Sequence, residues 1–285
     1  MLLARALDKA KRRVARARGL QALEADGSDA ARVIARAIVV ARDDALAADE
    51  RAWVDRIEAL RARLNASTRE ITRIDFGAGG PDSGRDQRTM RDGVPVAETL
   101  GDVARNASKS PFWCRVLFGL VRGARPQSGI EMGTAVGISA AYQAAALRLN
   151  GGGRFATLEG APTLAEIARA NLGELGLDTV DVVVGRFGDT LPSVLAARRP
   201  LEYVFVDGHH DGEATVVYFE QLLPHLAPRA FLVFDDVAWS DGMRRAWERI
   251  AHDPRVSMAV DLGAIGVAVV DAAGPAPRLY RIPLH

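Results

Sequence analysis

The chain has 285 residues, 37 Lys and Arg against 36 Asp and Glu for a net charge of +1, with 48% apolar and 26% charged residues. Those proportions are ordinary for a globular protein, and the length suits one large domain or a domain with an extension. A balanced charge gives no ground for nucleic acid as the main partner, and the single cysteine, Cys114, excludes an internal disulfide framework.

The first twenty residues carry seven basic side chains, Arg5 to Arg18, against one acid, Asp8. No apolar core of about 7–15 residues follows, so the stretch does not read as a signal peptide. No run of about 18 apolar residues marks a membrane span, and a cytoplasmic enzyme is the expectation. The basic stretch reads as a solvated helix; contact with a membrane surface or a nucleic acid is the alternative.

Residues 1–72 form a predicted helical extension. Leu20 and Leu23, then Val33, Ile34, Ile38 and Val39, then Trp53, Ile57, Leu60 and Leu64 recur at helical spacing, giving two or three amphipathic helices. Asp26-Gly27-Ser28-Asp29 is a break followed by a helix cap. Such a block suits a lid or a surface for homo-oligomer formation. Residues 73–104 read as a connector, with a glycine-rich loop from Phe76 to Gly84. A helical pattern returns from Pro95 to about Arg125. There Cys114 sits among Phe112, Trp113, Val116 and Leu117 as a small core residue.

From Ser128 the rhythm becomes strand, loop, helix, repeated. Strands are predicted at Ile130–Met132, Phe155–Leu158, Val180–Val184, Tyr203–Val206 and Phe231–Phe234. Helices are predicted between them, at Ser139–Leu149, Leu164–Leu175, Thr190–Ala197 and Ala214–Leu226. This is an α/β pattern with a parallel sheet covered on both faces. Val256–Leu262 and Ile265–Val270, joined by Gly263-Ala264, read as an antiparallel hairpin closing the sheet.

Ligands of such sheets sit beyond the carboxyl ends of the strands. The first of these strands runs into Glu131-Met132-Gly133-Thr134-Ala135-Val136-Gly137. Gly133 and Gly137 allow a tight turn and close backbone approach. Ala135 stands where a dinucleotide fingerprint needs glycine, and Glu131 would repel a pyrophosphate but suits a ligand bearing an ammonium group. Glu159, at the second tip, can accept from ribose hydroxyls. At the third tip Phe187 can lie on an adenine face, and Asp189 can cap the next helix. A nicotinamide-dependent oxidoreductase shares part of this pattern and remains the rival reading.

The whole series, E-x-G-x-x-x-G, L-E-G, G-x-x-x-D-x-L-P, V-D-G-x-H and F-D-D, resembles the class I S-adenosylmethionine-dependent methyltransferases over about residues 105–271. It is most similar to small-molecule O-methyltransferases, the catechol and caffeoyl-CoA enzymes and a bacterial branch that modifies macrolide sugars. The resemblance implies a Rossmann-like, seven-stranded sheet of order 3-2-1-4-5-7-6 with strand 7 antiparallel, in a domain spanning residues 105–285. It implies that Glu131, Gly133 and Gly137 hold the amino-acid end of S-adenosylmethionine, Glu159 the ribose, and Arg186, Phe187 and Gly188 the adenine. Thr134, Ala135, Ser139, Gly160 and Asp207 complete the expected cofactor contacts.

Asp207 ends the fourth strand, and Asp235 and Asp236 end the fifth. Three carboxylates on adjacent tips suit Mg²⁺, a hard ion that takes oxygen ligands. An Asp-Asp pair after a strand can also cap a helix, and Trp239-Ser240-Asp241 can begin one. In the catechol-type enzymes an Asn stands where this chain has Asp236, and a lysine base stands where it has His210. His210 is therefore favoured as the general base over His209, since histidine exchanges protons near neutral pH. Phe76–Gly80 and Ser108–Trp113 are the candidate walls for a small-molecule acceptor. The expected reaction is methyl transfer to a hydroxyl, with metal-independent transfer to nitrogen or carboxyl as the alternative.

Overall fold

The computed structural model describes residues 2–77, 85–274 and 277–284, with side chains from residue 11 onward except that of Gln87. The glycine-rich stretch 78–84 and the side chains of Arg5, Asp8 and Lys9 lie outside the described residues.

Three helices open the chain: α1 (Leu2–Ala25), α2 (Asp29–Asp43) and α3 (Ala48–Asn65). The break falls at Asp26-Gly27-Ser28, and the Ser28 hydroxyl accepts from the Ala31 N–H as the cap of α2. No helix among the described residues is long and apolar enough to cross a membrane.

The connector differs from expectation. It is an antiparallel ribbon of β1 (Glu70–Asp75) and β2 (Val94–Thr99), with a short helix α4 (Gln87–Asp92) between them. The ribbon gives a weak apolar signal because its strands are six residues long and only Ile71 among their residues is buried. Its cross-strand contact at Arg73 and Glu98 is an ion pair at 2.8 Å rather than an apolar pair. Pro95, expected to lead into a helix, lies in β2 opposite Ile74.

Two helices follow, α5 (Leu100–Ala107) and α6 (Pro111–Ala124), and Cys114 is fully buried on α6. The alternating part contains β3 (Ser128–Met132), α7 (Ile138–Leu149), β4 (Arg154–Glu159), α8 (Pro162–Glu174), β5 (Asp181–Val184) and α9 (Phe187–Arg198). It continues with β6 (Leu201–Val206), α10 (Gly212–Leu222), β7 (Leu226–Phe234), α11 (Asp241–Ala251), β8 (Met258–Asp261), β9 (Gly266–Asp271) and β10 (Arg278–Arg281). The sheet order is β5-β4-β3-β6-β7-β9-β8-β10, with β9 antiparallel to both neighbours. Counted from β3, the first seven strands have the order 3-2-1-4-5-7-6.

The eighth strand, β10, was not expected. Its residues alternate between half-buried and exposed, so it shows no apolar run. It pairs in parallel with β8 at the sheet edge and is clamped to the N-terminal block. The Tyr280 hydroxyl donates to Asp26 Oδ2 at 2.6 Å, and Arg278 pairs with the same oxygen. The N-terminal helices share one apolar core with the sheet: Ile34, Ile38 and Ile57 join Phe118, Tyr142 and Phe155.

Helices α2 and α6 meet closely at Gly119, where a Cβ would lie 2.9 Å from the Cα of Ala37. A larger side chain must force the helices apart. Gly119→Leu is expected to cost about 1–3 kcal/mol by overpacking and to lower the melting temperature by several degrees, followed by circular dichroism. An unchanged melt would show that the N-terminal block is not part of the cooperative core.

Candidate active site

The ladder continues one residue past each strand, which lines up the tips. Gly133 N–H donates to Leu158 O at 3.0 Å, Asp207 N–H to Met132 O at 2.8 Å, Asp235 N–H to Val206 O at 2.9 Å and Gly185 N–H to Glu159 O at 2.9 Å. The functional side chains of five parallel strands, β3 to β7, therefore emerge at one edge, as the α/β rule requires.

Gly133 has φ +107°, and a Cβ there would lie 1.8 Å from the Asp207 carbonyl oxygen, so only glycine fits. The turn is tied to the next tip by Glu159. Its two oxygens accept from the backbone N–H groups of Ala135 at 2.8 Å and Ala161 at 2.9 Å. Burial raises the Glu159 pKa, and those donors oppose the rise.

A cleft of about 1180 Å³ opens over these tips. Gly133, Thr134, Ala135 and Ser139 line it from the first turn, with Glu159 and Gly160 from the second tip. Arg186, Phe187 and Gly188 line it from the third, and Asp207, His209, His210 and Asp236 from the far side. The β1–β2 ribbon forms the opposite wall. Phe76 packs so closely on Gly160 that a Cβ there would lie 2.7 Å from its ring. Arg186 Nη1 donates to the Arg91 carbonyl at 3.0 Å.

The structure places two expected cofactor residues elsewhere. Glu131 is fully buried beneath the turn rather than on the cleft wall. Gln143 Nε2 donates to one of its oxygens at 2.7 Å and Thr157 Oγ1 to the other at 2.6 Å. Burial pushes its pKa up to about 7, against the opposing hydrogen bonds of Thr157, Ser139 and Gln143. Gly137 starts α7, and a Cβ on it would touch Ala168 at 3.3 Å, so it serves helix packing. Asp189 is not the cap of α9 but lies in its first turn, where Arg186 Nε donates to it at 2.7 Å.

Beyond β6 and β7 the acidic group assembles. Asp207, Asp235 and His210 each offer a ligand atom within 4.8 Å of the others. His210 Nδ1 lies 3.5 Å from Asp236 Oδ2, and His210 Nε2 lies 3.9 Å from Asp207 Oδ1. Ser240 caps α11, so Asp235 and Asp236 are not helix caps. Burial, then the charge of Asp207, pushes the Asp235 pKa up to about 7. The Asp207 and Asp236 carboxyls are also raised, chiefly by burial. His209 is engaged otherwise: its Nδ1 lies 2.5 Å from the Tyr218 hydroxyl, its ring stacks on Tyr218, and burial lowers its pKa.

One residue of this group, Lys109, was expected only within the acceptor wall Ser108–Trp113 and not beside the acids. Lys109 reaches in from the α5–α6 loop, donates to Asp235 Oδ2 and lies 3.6 Å from Asp207 Oδ1. Burial works against its charge, but Asp207, Asp235 and Asp236 outweigh this and hold the ammonium above the usual lysine range. A signal was present. The chain has only three lysines, Lys9, Lys11 and Lys109, so all other basic residues are arginine and Lys109 is the single lysine beyond residue 11.

The profile of a family described as a methyltransferase domain matches residues 130–237. The catechol O-methyltransferase of Mycobacterium tuberculosis is 35% identical over 148 residues, covering 52% of this chain and 63% of that protein. That of Niastella koreensis is 31% identical over 132 residues, covering 46% and 58%. The chain thus spans less than two thirds of the length of these curated relatives. Among solved structures, an O-methyltransferase from Bacillus cereus in complex with SAH aligns with a TM-score of 0.52 and 29% identity over 58% of this chain and 84% of that one. An O-methyltransferase from Streptomyces achromogenes involved in tomaymycin synthesis, in complex with SAM, gives 0.51 and 28% over 58% and 82%. The strand order and the tip residues, with these likenesses, define a class I S-adenosylmethionine-dependent methyltransferase fold. Within that class the relatives and structures it is similar to are O-methyltransferases.

The buried Glu131 makes stability depend on pH. A carboxyl raised from 4.5 to about 7 favours the folded state only while protonated. That advantage is complete below pH 4.5 and is lost as pH rises through 7, a swing of about 3 kcal/mol. Glutamine stays neutral throughout. Glu131→Gln is therefore expected to gain melting temperature relative to the unmodified chain between pH 5 and pH 8; a difference independent of pH would contradict the buried-acid assignment.

Proposed function

We propose that this chain transfers a methyl group from S-adenosylmethionine to a hydroxyl of a small-molecule acceptor, with His210 as general base. The observation that carries this reading is the convergence of His210, Asp207 and Asp236 on the same cleft as the Gly133 turn and Glu159. The cofactor supplies an electrophilic methyl group on a sulfonium. Gly133, Thr134, Ala135 and Ser139 would border its amino-acid end, Glu159 its ribose, and Arg186, Phe187 and Gly188 its adenine. Tip alignment holds Glu159 and Asp207 on one edge, an arrangement that would present donor and acceptor to each other in one orientation.

His210 suits proton removal from the acceptor. It is only part buried, faces the cleft, and has carboxylates near both ring nitrogens to stabilise the imidazolium it becomes. His209 is held by Tyr218 and shapes the wall instead. Asp207, Asp235 and Asp236 fit a divalent ion in donor chemistry: they are hard oxygen ligands on adjacent strand tips, with Lys109 the one ammonium beside them. Such an ion, when bound, would lower the pKa of the acceptor hydroxyl. Lys109 is the observation that favours the metal-independent alternative, since it already supplies a cation there.

The test uses SAH release with a panel of catechols and hydroxylated sugars. His210→Ala is expected to lower kcat by on the order of 10²–10⁴ while SAH still binds by calorimetry; unchanged turnover would remove His210 from the role of base. EDTA is expected to abolish transfer and Mg²⁺ to restore it. Full activity in EDTA would establish the metal-independent reading.

A further inference from the structure

Three carboxylates, one buried and two part buried, stand together at the tips of β6 and β7, and the ammonium beside them lies outside the motif series. We infer that Lys109 is a built-in cation for this seat, so that a divalent ion binds there only by displacing the Lys109 ammonium. The inference rests on reading Asp207, Asp235 and Asp236 as an ion seat.

Four observations support it. First, the Lys109 ammonium bonds to Asp235 and lies 3.6 Å from Asp207, within the space those ligand atoms share. A divalent ion bound to the same two carboxylates would sit about 2.0–2.6 Å from their oxygens, leaving two cations in near contact. Second, the backbone that carries Lys109 is pinned. Arg61 of α3 is buried and donates from Nη1 to the Lys109 carbonyl at 2.8 Å and from Nη2 to Cys114 Sγ at 3.3 Å. Arg61 is itself held by Glu58 at 2.9 Å. The loop is thus fastened to two helices, and displacement must occur by rotation of the side chain into the cleft, which Lys109 lines.

Third, the residue type is singular. Lys109 is the only lysine after Lys11 in a chain that otherwise uses arginine for every basic position. An ammonium is a compact point charge on a flexible stem, whereas a guanidinium is a planar fork that needs a wider seat. Lysine is the side chain that most nearly fills the place of a small ion. Fourth, the carboxylates outnumber it. Asp207 and Asp235 compete for one ammonium, and Asp236 is left to His210 at 3.5 Å. The seat is occupied but not saturated, so a divalent ion at sufficient concentration has a reason to enter.

The experiment is Mn²⁺ binding to the full chain, by calorimetry and by the electron paramagnetic resonance signal of free Mn²⁺, with SAH binding recorded on the same samples. Lys109→Met keeps the stem and removes the charge, and is expected to bind Mn²⁺ at least tenfold more tightly than the unmodified chain. Asp235→Asn is expected to weaken binding tenfold or more. Mn²⁺ is also expected to raise the melting temperature of Lys109→Met by more than that of the unmodified chain. Should Lys109→Met fail to fold, Lys109→Met with Asp236→Asn is compared with Asp236→Asn alone, and the same tenfold gain is expected. Equal, weaker or absent Mn²⁺ binding when Lys109 is replaced overturns the inference. Failure of every variant, and of the unmodified chain, to bind SAH would instead overturn the methyltransferase reading.

Discussion

Asp207, Asp235 and Asp236 are brought together by the sheet itself, because parallel hydrogen bonding places the last residues of β6 and β7 side by side. Their side chains are at most about a quarter exposed, and Asp235 only 2%. Like charges that close in a poorly solvated place repel strongly, and removing them from water adds to the cost. The surrounding structure can be understood as the answer to that constraint. Lys109 is inserted from one side and His210 from another, and burial, followed by the charges of neighbouring carboxylates, raises the pKa of all three acids.

The N-terminal helices acquire a purpose from the same constraint. Arg61 on α3 and Cys114 on α6 both contact the Lys109 carbonyl, so the helical block fixes the loop that carries the compensating charge. Burial pushes the Cys114 thiol up to about 12, and it stays a neutral, small packing partner. The β1–β2 ribbon works at the other end of the cleft. Thr163 Oγ1 donates to Thr72 O at 3.0 Å and Arg186 to Arg91 O, which docks the ribbon onto the start of α8 and the loop after β5. Elements outside the matched segment 130–237 thus build one wall of the cleft and supply a cation to it.

The alternating part of the fold was legible because its strands are mostly apolar, the later ones β6 and β7 nearly continuously so, and its tips end in a glycine or an acid. Seven strands and their order followed from that pattern and from the family resemblance. The ribbon and β10 were not legible, since their strands are short and carry few buried apolar residues, and their side-chain contacts, Arg73–Glu98 and Arg278 and Tyr280 on Asp26, are polar and distant in sequence. At the site, motif spacing brought the right residues to one edge but could not tell which way a side chain turns. Glu131 faces into the protein because Gln143, twelve residues on, and Thr157, on the next strand, take both of its oxygens. Lys109 was hidden for the opposite reason: it meets Asp235 across 126 residues of sequence, with no local pattern to announce it.

Backbone strain separates the residues that serve the cleft from those that serve the fold. Six non-glycine residues among those described have positive φ, and four of them, Ala135, His209, His210 and Asp236, line the cleft. Each such conformation costs about 1–2 kcal/mol relative to the right-handed region, because Cβ crowds the following carbonyl oxygen. At Gly133, where the carbonyl of Asp207 leaves no room, the chain uses glycine. At His209, His210 and Asp236 glycine would relieve the strain, yet a ring or a carboxylate is retained. The two histidines at φ +66° and +49° turn their rings to opposite tasks, one onto Tyr218 and one between Asp207 and Asp236. A relaxed, extended backbone would direct successive side chains to opposite faces. The left-handed pair is what allows consecutive residues to share one wall of the cleft, so the strain at this loop is part of how His210 comes to stand beside the carboxylates.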